Sequence, residues 1–141
     1  MHSFAWSFAF VAVGGALGAI ARYGLHLGLQ SNATYPWGTL SANLLGCLVM
    51  GVIAQFIASS NWVHESGLFP EHYRLLFAVG FCGSFTTLSS FVLEMAAMLQ
   101  RNEVLASFSY FIVTLGGGFA CFYLGLLVTR GLLALLLQGS S

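Results

Sequence analysis

The sequence predicts an all-α integral membrane protein with four transmembrane helices in a single domain, residues 1–141. Hydrophobic residues make up 58% of the chain and charged residues only 6%, whereas a soluble domain has roughly 25% charged residues. The mean hydropathy is correspondingly high, at +0.88. Four apolar runs, each long enough to cross a bilayer, are separated by polar stretches and cover about 4–29, 38–59, 75–99 and 104–128.

Composition also excludes several classes of function. The chain has no Lys, no Asp and a net charge of zero, so it offers no basic patch that could hold nucleic acid. Cys47, Cys82 and Cys121 each lie inside an apolar run, which favours packing residues over disulfides. No Cys or His spacing suits a metal site. No nucleophile and base lie at a workable spacing, so the protein is not expected to be an enzyme.

The first apolar run contains a deep charge and glycines at helical spacing. Gly14 and Gly18 form one G-x-x-x-G face and Gly24 and Gly28 form another, and such faces let helices pack closely. Arg22 lies deep in the same run, where a charge costs ~2.5–3.5 kcal/mol on insertion scales. Its side chain is therefore either functional or reaches out to the membrane interface.

The second apolar run begins with a polar face. Thr39 and Asn43 are four residues apart, which places them on one face of a helix. Asn43 either cross-links two helices or faces a polar path through the protein. The second interpretation is favoured.

The third run carries the most unusual stretch of the chain, at residues 80–94. Five hydroxyl residues crowd into seven positions of an apolar segment: Ser84, Thr86, Thr87, Ser89 and Ser90. Irregular backbone survives in hydrocarbon only against protein or a water-filled cavity. The stretch favours a helix that is broken near its centre, because such breaks expose carbonyls and amides to ions. The alternative is an unbroken helix whose hydroxyls bond back to the carbonyl one turn earlier.

The fourth run carries a polar stripe. Tyr110, Thr114 and Gly118 follow one another at four-residue spacing and therefore share one helix face. Arg130 is expected to close this run, and residues 132–137 to continue as an apolar tail.

The four arginines are divided evenly between the two sides of the predicted membrane domain. Arg74 and Arg130 lie on the side of the termini, and Arg22 and Arg101 lie on the opposite side. The positive-inside rule therefore favours neither orientation, and an antiparallel two-fold dimer follows as a hypothesis. Four spans leave little room for a cavity in one copy, so a pathway is expected where two copies meet.

Three segments and the polar stripe carry a resemblance to a known family. The segments are G-G-A-L-G-A-I-A-R-Y at 14–23, G-T-L-S-A-N-L-L-G at 38–46 and G-F-C-G-S-F-T-T-L-S-S-F at 80–91. Together they resemble the Fluc (CrcB) fluoride channels of microorganisms over nearly the whole chain. The resemblance implies an antiparallel, dual-topology homodimer in the inner or plasma membrane. It further implies passive, fluoride-selective export through two pores, fluoride resistance, and a structural sodium ion at the dimer interface.

The resemblance also implies roles for individual residues. The backbone carbonyls of Gly83 and Thr86 would hold the sodium ion, and Arg22 is interpreted as a structural charge. Asn43 would donate to fluoride, and Phe91 would meet it through a ring edge. The complete set implied for the fluoride pore is Asn43, Leu88, Ser89, Ser90, Phe91, Glu94, Tyr110, Thr114 and Gly118.

Two positions depart from the pattern of the family. Leu88 stands where a first phenylalanine is usual, three residues before Phe91, and Gly118 stands where the fourth helix usually has a hydroxyl. An aromatic edge carries partial positive charge, and Leu has nothing equivalent. The pore therefore either uses one ring instead of two or belongs to an altered or slower channel, and an engineered substitution is a further alternative.

Two other classes of membrane protein remain open. A proton-coupled small multidrug exporter needs a membrane-embedded carboxylate, for which Glu94 is the candidate. Glu94, however, lies late in the third run beside a hydroxyl track. A non-transporting subunit would use the small residues for packing alone. The channel is favoured, because a small, strongly hydrated anion needs hydrogen-bond donors without a strong fixed charge that would trap it.

Overall fold

A computed structural model describes residues 2–30, 35–59 and 71–138, and this part of the chain is helical apart from short connections. The first, second and fourth predicted runs each form one helix, and the third forms two consecutive helices. All four runs are long and apolar enough to cross a membrane, so the protein is an all-helical, multi-pass membrane protein. The helices are α1 His2–Gln30, α2 Trp37–Ala58, α3 (residues 71–85), α4 Leu88–Gln100 and α5 Val104–Gln138.

Helix α5 is longer than the fourth apolar run. Arg130 does not end it, and the helix continues through the expected tail to Gln138. Its 35 residues extend over about 50 Å, which exceeds the ~30 Å hydrocarbon core of a bilayer. Ala and Leu at 132–137 favour helix, and Gly131 opposes it by only about 1 kcal/mol.

Most of helix α3 is wound more widely than an α-helix. Arg74–Cys82 forms π-type turns between short α-helical segments at Glu71–Tyr73 and Gly83–Phe85. The amide of Gly83 accordingly reaches the carbonyl of Ala78, five residues earlier. Such wide turns are rare and occur frequently at functional sites.

Helices α1 and α3 approach each other backbone to backbone. A Cβ atom at Gly14 would overlap the carbonyl of Leu76, and one at Gly18 would overlap the carbonyl of Phe81. The packing role predicted for this glycine pair is therefore confirmed. At the second G-x-x-x-G face of α1, an added Cβ would meet nothing within 4 Å in the described part of the subunit.

The two helices of the third span pack against different neighbours. Helix α3 lies along α1, α4 lies against α5, and α2 contacts both α1 and α5. Helices α2 and α5 also meet closely, because a Cβ at Gly51 would overlap the carbonyl of Phe122 and one at Gly125 would overlap that of Leu48. The buried core lies among α2, α4 and α5 and contains Leu40, Phe91, Met98 and Tyr110.

Large apolar side chains cover the outside of the subunit. Leu105 is 82% exposed, and Leu93 and Leu136 are also highly exposed. A contiguous apolar surface of this kind is stable against lipid or another protein chain rather than against water. The surface thus agrees with the membrane location that the sequence predicts.

A tight turn sets α4 beside α5. Asn102 has a left-handed conformation with φ of 59°, its amide donates to the carbonyl of Leu99, and the amide of Glu103 donates to that of Met98. This is the Schellman pattern, which ends many helices at a left-handed Gly or Asn. The side chain of Arg101 donates two hydrogen bonds of 3.0 Å to the Glu103 carboxylate and thereby lowers the pKa of Glu103.

Candidate functional site

The third span is bent where two consecutive residues leave the helical conformation. Thr86 (φ −83°, ψ 149°) and Thr87 (φ −148°, ψ 118°) are extended, between the end of α3 at Phe85 and the start of α4 at Leu88. Thr87 caps α4, because its Oγ1 accepts a hydrogen bond of 3.3 Å from the amide of Ser90. The interruption lies inside the hydroxyl-rich stretch, as the sequence predicts.

Asn43 on α2 holds this bend through the main chain of Thr87. Its Oδ1 accepts a hydrogen bond of 2.8 Å from the amide of Thr87, and its Nδ2 donates one of 3.3 Å to the carbonyl of Thr87. Nδ2 has a second N–H, which forms no hydrogen bond within the described part of the chain. Asn43 is therefore a cross-link between helices that still has a donor available.

The bend removes the usual donors from two carbonyl oxygens. In a continuous helix, the amide of Thr87 would donate to the carbonyl of Gly83, and the amide of Ser90 to that of Thr86. Here these amides donate instead to Asn43 Oδ1 and Thr87 Oγ1. Gly83 is exposed at the subunit surface, and a carbonyl oxygen is the type of ligand that a hard cation prefers. Among the described side chains, no group of His, Cys, Asp and Glu could hold a metal ion.

Two other carbonyls near the bend have partners within the subunit. Arg22 Nε donates to the carbonyl of Ser84 at 3.1 Å. The carbonyl of Cys82 accepts both the amide of Thr86, at 3.0 Å, and its Oγ1, at 2.9 Å. The hydrogen bond from Thr86 Oγ1 to the carbonyl one turn earlier is the kind that the alternative of an unbroken helix predicts. It involves only Thr86, the residue before the cap Thr87, and the helix is interrupted there all the same. Arg22 is thus bound to the main chain of the bend.

Glu94 on α4 connects three helices. Thr39 on α2 donates from Oγ1 to Oε1 of Glu94 at 2.6 Å, and Tyr110 on α5 donates from its hydroxyl to Oε2 at 2.7 Å. Thr39 and Tyr110 are both buried. The residue set implied by the sequence contains Glu94 and Tyr110 but not Thr39. The four-residue spacing of Thr39 from Asn43 is the sequence feature that could have added it.

An open groove of about 490 Å³ lies beside the bend. It brings together six residues that the sequence assigns to the site, namely Asn43, Thr86, Leu88, Phe91, Thr114 and Gly118. Six further residues that were not assigned complete its lining, namely Cys47, Thr87, Leu115, Phe119, Phe122 and Tyr123. Cys47 lies four residues after Asn43 and Phe122 four after Gly118, so helical spacing alone could have found these two.

Three side chains define the chemistry of the groove. Thr114 is only 7% exposed, and its Oγ1 has no hydrogen-bond partner among the described residues. Because an unpaired buried hydroxyl costs about 1–3 kcal/mol, a ligand or water is expected at this position. Phe91 is 4% exposed, and its ring centroid lies 5.0 Å from that of Tyr110. Leu88, one turn before Phe91, is 69% exposed.

Ser89 and Ser90, which the sequence assigns to the pore, lie next to the groove but do not line it. Thr87 Oγ1 lies 3.2 Å from Ser89 Oγ and 3.3 Å from Ser90 Oγ. These three hydroxyls therefore form a small hydrogen-bonded cluster at the start of α4, with Ser89 exposed and Ser90 half-buried.

Comparison with known proteins gives the same family as the motifs. The model of the family described as "CrcB-like protein, Camphor Resistance (CrcB)" matches residues 9–126. The chain is 40% identical over 121 residues to the fluoride-specific ion channel FluC of Prosthecochloris aestuarii, which covers 85% of this chain and 90% of that protein. A protein of the same name from Gloeothece citriformis is 40% identical over 124 residues, with 86% and 95% covered. Another, from Paracoccus denitrificans, is 38% identical over 126 residues, with 88% and 94% covered. The chain therefore belongs to the CrcB family, which confirms the resemblance carried by its motifs.

Proposed function

We propose that the protein is a fluoride-specific ion channel, which exports fluoride passively across the inner or plasma membrane. The groove beside the bend is the observation that carries this function, because it collects unpaired donors in apolar surroundings. The second N–H of Asn43 and the buried Oγ1 of Thr114 lack partners in the described chain and lie there with the ring of Phe91. The similar proteins named above carry the same function in their names.

The lining of the groove suits a small, strongly hydrated anion. Such an ion needs donors that replace its water, but it must also be able to leave. The residues that line the groove carry no formal charge, and Arg22 is bound to the carbonyl of Ser84. The edge of the Phe91 ring adds only a partial positive charge. This combination supports passage rather than tight binding.

The geometry of Glu94 does not favour the exporter alternative. An exporter needs a carboxylate that faces its substrate and exchanges a proton for a cation. Both carboxylate oxygens of Glu94 instead accept hydrogen bonds, from Thr39 and Tyr110, and Glu94 is not part of the groove lining. It anchors three helices beside the groove, which is consistent with a channel.

Purified protein in liposomes tests this function directly. Fluoride-loaded liposomes should release fluoride once a potassium ionophore dissipates the membrane potential, because passive conduction needs only a counter-current. Chloride-loaded and protein-free liposomes are the controls and should release little. Fluoride release that requires an imposed proton gradient, or proton-dependent release of a cationic dye, would contradict a passive channel.

The open side of the groove supports an antiparallel homodimer as the functional unit. Leu88 lines the groove and is mostly exposed, and Gly83 is also exposed nearby in sequence. In one copy alone, the polar atoms of the bend would face lipid, where they would lack partners. A second copy would cover them, and the even division of the arginines permits both orientations.

Terminal tags test the dual topology. A tag on the C-terminus should be accessible from both sides of the membrane in a single cell population. Two Lys inserted beside Arg101 should favour one orientation and lower fluoride efflux, because antiparallel pairs become rare. The matched control carries two more Lys beside Arg130, which restores the balance and should restore efflux. Labelling of wild type from one side only would contradict the hypothesis.

A structural sodium ion is proposed for the carbonyl oxygens of Gly83 and Thr86. These oxygens fit a hard cation, because the bend has removed their usual donors. A second copy of the chain would offer the same pair, so the number of available ligands would double at a two-fold axis. When bound there, the ion would supply a fixed positive charge at the dimer interface.

A further inference from the structure

We infer that the thiol of Cys47 is part of the permeation path, where it supplies the hydrogen-bond donor that α5 lacks at Gly118. This inference rests on the proposed conduction of fluoride. Cys47 lies on α2 four residues after Asn43 and therefore on the same face of the helix. It is half-buried and lines the groove together with Asn43, Thr114 and Gly118.

The sulfur of Cys47 occupies the space of a missing side chain. A Cβ atom added at Gly118 would lie 3.3 Å from Cys47 Sγ, which is tight for a carbon–sulfur contact. The thiol therefore stands where a side chain at position 118 would project from α5. The polar stripe of α5 that ends at Thr114 is continued by a group from the opposite helix.

A second observation points to a polar ligand in the part of the groove that contains Cys47 and Gly118. Thr114, one turn before Gly118 on α5, is buried and has an Oγ1 without a partner in the described chain. Beyond Thr114, the side chains that α5 contributes to the groove lining are the apolar Leu115, Phe119 and Phe122, followed by Tyr123. An anion next to apolar groups alone loses hydration without compensation. A thiol is a weak donor, so it lowers this cost without binding the anion tightly.

The other two cysteines provide matched controls. Cys82 is buried, and Cys121 is half-buried like Cys47, but neither lines the groove. Substitutions at Cys121 on α5 therefore report on the loss of a half-buried thiol that lies near Cys47 but outside the groove lining.

The test compares Cys47→Ala with Cys47→Ser in the liposome assay. Both changes make the side chain smaller, but only Ser keeps a donor. Cys47→Ala should lower the rate of fluoride efflux about two- to threefold, the low end of the factor expected for one net hydrogen bond, because a thiol is a weak donor. Cys47→Ser should be several-fold faster than Cys47→Ala, whereas Cys121→Ala and Cys121→Ser should not differ from each other. Size-exclusion chromatography and helix content of each variant show whether the assembly is intact.

A double variant tests the same point from the other helix. Gly118→Ser alone should reduce efflux, because its Cβ crowds Cys47 Sγ. In Cys47→Ala/Gly118→Ser the hydroxyl has room, so efflux should exceed that of either single variant. Equal efflux from wild type and Cys47→Ala, or an equal fall in Cys47→Ala and Cys47→Ser, overturns the role of the thiol. No fluoride efflux from wild type overturns the proposed function itself, and this inference with it.

Discussion

Asn43→Asp should lower fluoride efflux roughly 1000-fold. The aspartate keeps an acceptor for the amide of Thr87 but loses the donor to its carbonyl and the free N–H in the groove. An ionised carboxylate about 4 Å from a passing anion is unfavourable by about 4 kcal/mol at an effective dielectric constant of 20. In a barrier, 4 kcal/mol corresponds to roughly three orders of magnitude in rate. Fluoride efflux from liposomes at neutral pH measures the effect.

The control for this variant makes the same chemical change elsewhere on α2. Gln55→Glu also replaces a side-chain amide by a carboxyl group, but Gln55 bonds Ser59 on an exposed face and does not line the groove. It should conduct like wild type. Unchanged efflux from Asn43→Asp, with an intact assembly, would show that Asn43 only holds the bend. Loss of the proposed dimer would show that the two hydrogen bonds between Asn43 and the main chain of Thr87 are needed for assembly.

Phe91→Leu should lower fluoride efflux at least about tenfold, which corresponds to ~1.4 kcal/mol in the barrier. The substitution removes the aromatic ring that lines the groove and leaves Leu at both positions 88 and 91. Neither side chain then offers a partially positive edge to the anion. Because Phe91 is also a core residue, Met98→Leu is the matched control: Met98 belongs to the same buried cluster but does not line the groove.

Efflux and thermal unfolding of the two variants should be measured together. If both lose similar stability and only Phe91→Leu loses efflux, the ring acts on the ion rather than on packing. Conduction by Phe91→Leu at the wild-type rate would exclude the aromatic-edge mechanism. The anion would then depend on Asn43 and the hydroxyls of the groove.

Leu88→Phe is the reverse of this experiment and should raise efflux. It places a second ring edge one turn before Phe91, on a groove-lining side chain that is mostly exposed in the subunit. Overpacking at a helix interface costs about 1–3 kcal/mol, so the size of the assembly must be checked for this variant. Leu93→Phe adds the same volume on an exposed part of α4 outside the groove and should leave efflux unchanged. If Leu88→Phe and Leu93→Phe changed efflux equally, the added side-chain volume rather than the ring edge would explain the change.

The fold class followed from the sequence because the bilayer imposes simple rules on composition and length. A span must be apolar over about 20 residues, and the four runs satisfy this. The position of the bend could also be predicted from the sequence, because hydroxyl residues in hydrocarbon need partners and Thr is a good helix cap. The wide turns of α3 could not be predicted, because no local residue pattern marks them; α1 packs against this segment through Gly14 and Gly18.

The residues of the site could be predicted only in part from the sequence, for a related reason. Asn43 and Thr87 are 44 residues apart, and Thr39 and Glu94 are 55 apart, so their contacts depend on helix packing rather than on local pattern. Spacing placed Asn43 and Thr39 on one face, but it could not show that one reaches the bend and the other a carboxylate. The place of Cys47 opposite Gly118 is likewise a property of two helices together.

The pair of hydrogen bonds between Asn43 and the main chain of Thr87 has a consequence for which substitutions positions 43 and 87 tolerate. Asn43 recognises Thr87 only through its amide and carbonyl, which every residue except Pro possesses. The side chain of Thr87 instead caps α4 and lines the groove, and capping is a task that Ser, Asn and Asp also perform. Position 43 has no such freedom, because a side chain of that length must accept and donate at once. The conformation of the third span at the bend thus depends in part on one residue of the second span.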